Sequence, residues 1–167
     1  MMFSLLPKFI FEDVSQVSVA FLREQGIRTV LLDYDNTLCA YTQKVPAPAV
    51  EQWLDGLQAA GIGLCVVSNS HKCRAVAYCA KRNIPCVTHA RKPFPGGIRK
   101  SMTLMQAKPD QCLLVGDQIY TDVLGANCAG VRSILVRSIH NHNFWLKARH
   151  VLEKPWIFIA RKRRMKP

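Results

Sequence analysis

Three aliphatic residues in a row, Val30-Leu31-Leu32, run directly into two carboxylates spaced two positions apart, Asp33 and Asp35. A short continuous apolar run suits a strand covered on both faces of a parallel sheet, and its carboxyl end then lies at the edge where such sheets gather their sites. Ionised carboxylates at a buried strand end are costly unless something balances them, and a divalent cation is the most direct partner. The residues that follow, Asp35-Asn36-Thr37, favour a turn because their side chains bond local backbone. Taken alone, an Asp-x-Asp of this kind serves equally as a polar turn that caps a helix.

The pair has companions further along the chain, each behind another apolar run. Val66-Val67-Ser68-Asn69 puts a hydroxyl at a strand end, Arg91-Lys92-Pro93 puts a cation in a loop, and Leu113-Leu114-Val115-Gly116-Asp117-Gln118 returns a carboxylate, with Asp122 close behind. Singly, Ser68 suits a helix cap, Lys92 a solvated cation and Asp117 a turn residue after Gly116. In this order they resemble the four motifs of the haloacid dehalogenase (HAD) superfamily. The wording Leu-Asp-Tyr-Asp-Asn-Thr-Leu, Val-Ser-Asn, Ala-Arg-Lys-Pro and Gly-Asp-Gln-x-x-Thr-Asp-Val is similar to its class III, subclass A phosphatases, and most to the phosphatidylglycerophosphate phosphatase-like branch. The resemblance extends from about Leu6 to the basic C-terminal tail.

That resemblance implies a magnesium-dependent phosphatase acting through an aspartyl-phosphate. Asp33 is the implied nucleophile and Asp35 the implied acid to the leaving alkoxide, then base for water. Asp33, the backbone carbonyl of Asp35, and Asp117 are the implied magnesium ligands, with Thr37 and Asp122 in support. Ser68, Asn69 and Lys92 would hold the phosphoryl oxygens. The motifs give Arg74, Arg91 and Gln118 no role. The implied substrate is a phosphomonoester on a lipid head group, phosphatidylglycerophosphate giving phosphatidylglycerol. A soluble sugar or nucleotide phosphate is the enzymatic alternative, and a ribosome- or nucleic-acid-associated protein is the alternative of a different class.

The remaining periodicity predicts strands alternating with helices. A helix over 15–25 closes at Gly26, and Val50, Trp53, Leu54 and Leu57 mark another before Gly61. Gly63 to Val67 reads as a strand. Cys73, Val76, Ala77 and Ala80 mark one face of the next helix, and Ile84 to Val87 reads as a short strand. Ile98, Met102 and Met105 line a helix ended by Pro109-Asp110. Cys112 to Val115 is a strand, Thr121 caps a helix through Ala129, and Val131 to Val136 is the last strand. A final helix around Trp145, Ala148 and Leu152 precedes Pro155. The expected architecture is one HAD-like α/β domain over 1–167, a doubly wound, Rossmann-like parallel sheet of about five strands. A short apolar segment precedes it and a basic tail, about 155–167, follows. No stretch is left over for a cap domain, so an open site is expected.

Composition bounds the partners. Formal net charge is +12, and from Trp145 to Pro167 there are eight Lys or Arg against the single acid Glu153. That concentration fits an anionic partner, a membrane surface in preference to nucleic acid, because Trp156, Ile157, Phe158 and Ile159 lie among the cations. No apolar stretch reaches the roughly 18 residues that span a bilayer. The first basic residue, Lys8, follows the apolar N-terminal run, which makes a poor signal peptide. The seven cysteines are odd in number and form no Cys-x-x-Cys pair, which fits reduced, buried thiols without a zinc loop. His89 reads as a hydrogen-bonded loop residue. The expected location is cytoplasmic, peripheral on the inner membrane surface.

Overall fold

The computed structural model describes residues 4–70, 73–139 and 155–159. Strands β1 (Phe9–Phe11), β2 (Thr29–Leu32), β3 (Gly63–Val67), β4 (Cys86–Val87), β5 (Cys112–Gly116) and β6 (Arg132–Val136) form one sheet in the order β1-β6-β5-β2-β3-β4. Every pairing is parallel. Helices α1 (Val19–Glu24), α2 (Pro48–Ala59), α3 (Cys73–Lys81), α4 (Gly96–Leu104) and α5 (Leu124–Ala129) make the crossovers. A parallel sheet needs such crossovers, and they leave its central strands buried on both faces.

Alternation along the central strands sorts side chains between two cores. Val30, Leu32, Leu64, Val66, Leu113 and Val115 face one side and pack with Leu22 of α1, Trp53, Leu54 and Leu57 of α2, and Ala75, Tyr78 and Cys79 of α3. Leu31, Cys65, Val67 and Leu114 face the other, with Ile98 and Met102 of α4 and Ala126 and Ala129 of α5. Fully burying each of the larger aliphatic side chains contributes about 1.5–3 kcal/mol, so the site rests on a rigid platform.

Register carries the motifs to one place. Leu32 pairs with both Val66 and Val115, so Asp33, Ser68 and Asp117 all leave the sheet within one residue of the same level. The chain moves from β2 outward through β3 and β4, then returns to β5 on the opposite side of β2. That reversal makes the carboxyl end of β2 the switch point.

Several expectations shift. The apolar N-terminal segment is not a separate appendage: Phe9–Phe11 is a sixth strand, pairing with Ile134–Val136. The helix expected over 15–25 is divided into a tight turn at Val14–Gln16 and α1, because Ser18 accepts from Phe21 N and caps a fresh start. On α3 the inward face is Ala75, Tyr78 and Cys79, whereas Val76 is 46% exposed and Ala77 and Ala80 face out. The aromatic ring of Tyr78 decides the helix rotation by packing on Tyr34, 5.6 Å between centroids. The strand expected over 84–87 narrows to Cys86–Val87, and α4 stops at Leu104, short of Pro109, which opens a separate turn. Thr121 caps no helix, because helical backbone begins at Ile119 as one wide turn before α5.

Cys39, Cys65, Cys79, Cys112 and Cys128 are free and buried, and Cys86 is free and half-buried. The helix expected around Trp145 and the cations from Arg161 onward lie outside the described residues. Trp156 and Ile157 are described, and they pack half-buried against Ile119, Val123 and Leu135. Among the described residues no helix is long and apolar enough to cross a membrane.

Candidate active site

The carboxyl ends of β2 and β5, with the segment after each and the loop between β4 and α4, bring Asp33, Asp117, Asp122 and Lys92 into one charged group, and Ser68 lies at the adjoining end of β3. Asp33 extends β2 by one rung, its N–H donating to the Val115 carbonyl at 2.9 Å. Asp117 follows β5 directly, and Thr37, in the turn after β2, donates its hydroxyl to Asp117 Oδ1 at 3.2 Å. Gly116 lies where no side chain fits, since a Cβ there would stand 2.3 Å from Asp122 Cγ. Asp122 can therefore reach over the strand end.

Lys92 closes the group from the loop between β4 and α4. Its Nζ donates to Asp33 Oδ1 at 2.7 Å and to Asp122 Oδ1 at 2.6 Å, and its side chain is almost wholly buried. Asn69 fixes the lysine's backbone from both sides, its Oδ1 accepting from Lys92 N at 2.7 Å and its Nδ2 donating to Lys92 O at 2.8 Å. The carboxamide expected at the phosphate is thus engaged in holding the residue that would meet it. His89 and Arg91 adopt left-handed backbone, φ 53° and 55°, in the same loop, and such strain persists where a side chain must be aimed. Ser68 is buried, donates its N–H to Val87 O and accepts from Ser70 N at 3.0 Å.

Asp33, Asp117 and Asp122 each offer a carboxylate oxygen, all within 4.8 Å of one another. Asp122 has both oxygens engaged, one by Lys92 and one by Gln118 N at 3.1 Å, which fits support in preference to direct ligation. The Asp35 carboxylate stands apart from the three and forms an ion pair with Arg74. That partner, which the motifs did not mark, was visible in the sequence only as one more cation in α3.

The electrostatics of the group follow from its burial. Burial pushes the Asp117 carboxyl up to about 8, and Asp33 and Asp122 add to the rise. Burial likewise pushes Asp33 up to about 6 against the attraction of Lys92. Burial alone would depress Lys92, but Asp122 and Asp33 outweigh it and hold the ammonium above its ordinary range. Fully ionised, three carboxylates against one ammonium would carry two excess negative charges in a desolvated space, and the raised values of Asp117 and Asp33 express that excess. Oxygen donors with that charge excess fit a hard divalent cation, and Asp33 and Asp117 have the free lone pairs to hold it.

A consequence for stability follows. Asp117 has an ordinary value of 3.8, so without metal its contribution is fully present below about pH 4 and is lost as pH rises towards 8. The melting temperature of metal-free protein is expected to fall between pH 5 and pH 8. Added magnesium should raise it more at pH 8 than at pH 6, because there the ion displaces fewer protons. Calorimetry in both buffers decides it; a magnesium effect larger at pH 6 would mean that these carboxylates do not bind the ion.

The family model described as mitochondrial PGP phosphatase matches residues 3–139. A probable phosphatase of Bacillus subtilis is 30% identical over 78% of this chain and 76% of its own length. The chloroplastic phosphatidylglycerophosphate phosphatase 1 of Chlamydomonas reinhardtii is 27% identical over 80% of this chain, which spans about half of that protein, 53%. Among solved structures, the cobalt-bound deoxy-D-mannose-octulosonate 8-phosphate phosphatase of Haemophilus influenzae shares the fold. Its TM-score is 0.54 at 16% identity, covering 77% of this chain and 89% of that one. The chain belongs to the mitochondrial PGP phosphatase family and is a phosphatase, a phosphoric monoester hydrolase.

Proposed function

We propose that this protein hydrolyses phosphatidylglycerophosphate to phosphatidylglycerol, with magnesium as its resident ion and an aspartyl-phosphate on Asp33 as the intermediate. The observation that carries the reading is the buried Asp33–Lys92–Asp122 group with Asp117 beside it, at the switch point of the sheet. Phosphoryl transfer requires an in-line nucleophile, neutralised equatorial oxygens and a proton for the leaving group. Asp33 attacks phosphorus while the bond to the glycerol oxygen breaks, and Asp35 gives that oxygen its proton. Lys92, already 2.7 Å from the nucleophile, takes one phosphoryl oxygen, and Ser68 stands at the neighbouring strand end to take another. Asp35 then removes a proton from the water that attacks the phosphoenzyme and restores Asp33. Asp33, the Asp35 carbonyl and Asp117 would hold the magnesium ion, with Asp122 and Thr37 behind them, and it would supply charge neutralisation there.

The lipid substrate is supported by the family and by the chloroplastic relative of that name. Each of the segments between β2 and β3 and between β3 and β4 contains a single described helix, which favours an open site that a membrane-held head group can reach. The cations from Arg161 to Lys166 would bring that site to an anionic leaflet, at about 1 kcal/mol for each residue near the surface.

Phosphate release from phosphatidylglycerophosphate vesicles, against a panel of soluble sugar, nucleotide and aryl phosphates, tests the reading. The lipid is expected to exceed every soluble ester by at least about a hundredfold in kcat/KM, and chelation of magnesium to stop release. A soluble ester turned over equally well overturns the substrate, and undiminished turnover in chelator overturns the ion.

A further inference from the structure

We propose that Arg74 is the positioning residue of Asp35, fixing which carboxylate oxygen meets the leaving group; this rests on the acid and base role proposed above for Asp35. Arg74 Nη2 donates to Asp35 Oδ1, and Nη1 of the same guanidinium faces the carbonyls of Ala40 at 3.0 Å, Tyr41 at 2.9 Å and Gln43. The rings of Tyr34 and Tyr41 lie alongside it, with centroids 5.3 and 5.5 Å away. One planar cation therefore ties α3 to the turn after β2 and to the segment over 40–43.

The need for such a tie comes from where Asp35 sits. Unlike Asp33, it lies past the strand, in a turn whose next residue, Asn36, has a left-handed backbone, φ 66°. Its carboxylate is the least buried in the site, 21% exposed, and Lys92 does not reach it. A proton donor free to rotate there would spend little time in line with a departing oxygen, and misplacement by about 1 Å is enough to cost two orders of magnitude in rate. With Oδ1 held by Arg74, Oδ2 is left to exchange protons. The rigid planar fork of arginine holds its carboxylate and carbonyl partners in a fixed relative direction, which the rotatable donors of a lysine ammonium do not. Tyr78, whose ring packs on Tyr34, sets the rotation of α3 and so the direction from which Arg74 approaches.

The test compares kcat/KM on an aryl phosphate, which departs without help, with that on an alkyl phosphate, which needs a proton. Asp35→Asn should raise the aryl-to-alkyl ratio about a hundredfold. Arg74→Ala should raise it about tenfold, and the double variant should match Asp35→Asn within about threefold, because an effect transmitted through Asp35 disappears with it. Arg74→Lys, which keeps the charge and is the variant of choice should alanine prevent folding, should move the ratio the same way by a smaller factor. A loss from Arg74→Ala that is equal on both esters, a ratio left at the parental value by Arg74→Lys, or effects that multiply in the double variant would each overturn the proposal. A parental ratio in Asp35→Asn would instead sink the acid and base role itself, whatever Arg74 does.

Discussion

Asp33→Asn is expected to cut turnover by at least about a thousandfold while the metal-free protein melts no lower at pH 8 than the parent. The amide keeps the shape of the carboxylate but cannot attack phosphorus and offers the ion no charge. Stability moves the other way because burial raises the Asp33 carboxyl from 3.8 to about 6. A carboxylate whose folded value is raised costs stability once the pH exceeds that value, so at pH 8 its removal relieves the site. Turnover and melting should therefore separate, a common trade at sites built for charge. Residual activity within tenfold of the parent would refute the covalent role, and a large drop in metal-free melting at pH 8 would refute the charge argument.

Lys92→Met carries the second large effect, and here both properties should fall. Removing the ammonium leaves Asp33 and Asp122 facing each other in a space where charges are poorly solvated, and breaking one partner out of such a buried group costs about 3–5 kcal/mol. One carboxyl escapes by taking a proton, so the loss should be small at pH 5 and grow towards pH 8. Magnesium should restore part of the melting temperature by replacing the lost positive charge. It should not restore turnover, because the donor to the phosphoryl oxygen is still absent, and about a hundredfold or greater deficit should persist with the ion saturating. Melting curves at two pH values with and without magnesium, beside phosphate release, separate the two roles. Activity within tenfold of the parent, or a melting temperature unchanged at pH 8, would mean that Lys92 does not hold the carboxylates together.

The site was legible where chemistry is written into local sequence. Val30-Leu31-Leu32 before Asp33, Val66-Val67 before Ser68 and Leu113-Leu114-Val115 before Asp117 are each short apolar runs ending on a polar group, and parallel register brings such ends level. What the sequence hid depends on tertiary contact. Phe9–Phe11 is too short to announce a strand, and becomes one because β6 offers an open edge. The face of α3 was misjudged because four small or aliphatic residues at helical spacing outweighed Tyr78, whose ring finds Tyr34 only in the fold. The pairing of Arg74 with Asp35 joins a motif residue to a helix cation outside the motifs, and has no local signature. Asn69 reads as a phosphate donor by its place in a motif, but its partner is the backbone of Lys92, and backbone partners leave no trace in residue identity.

The parallel pairing of Phe9–Phe11 with Ile134–Val136 also bears on the order in which a nascent chain can become an enzyme. Among the described strands Phe9–Phe11 precedes the other five in sequence while its sheet neighbour, β6, follows them all, so this pairing closes only after the strands between have been made. The strands that lead into Asp33 and Ser68, β2 and β3, are close in sequence and can pair early, whereas β5, which brings Asp117, arrives later. The repulsion of Asp117 and Asp122 on Asp33 thus begins only when the platform beneath them is nearly complete. Lys92, translated before Asp117 and Asp122, is already in the chain when they emerge.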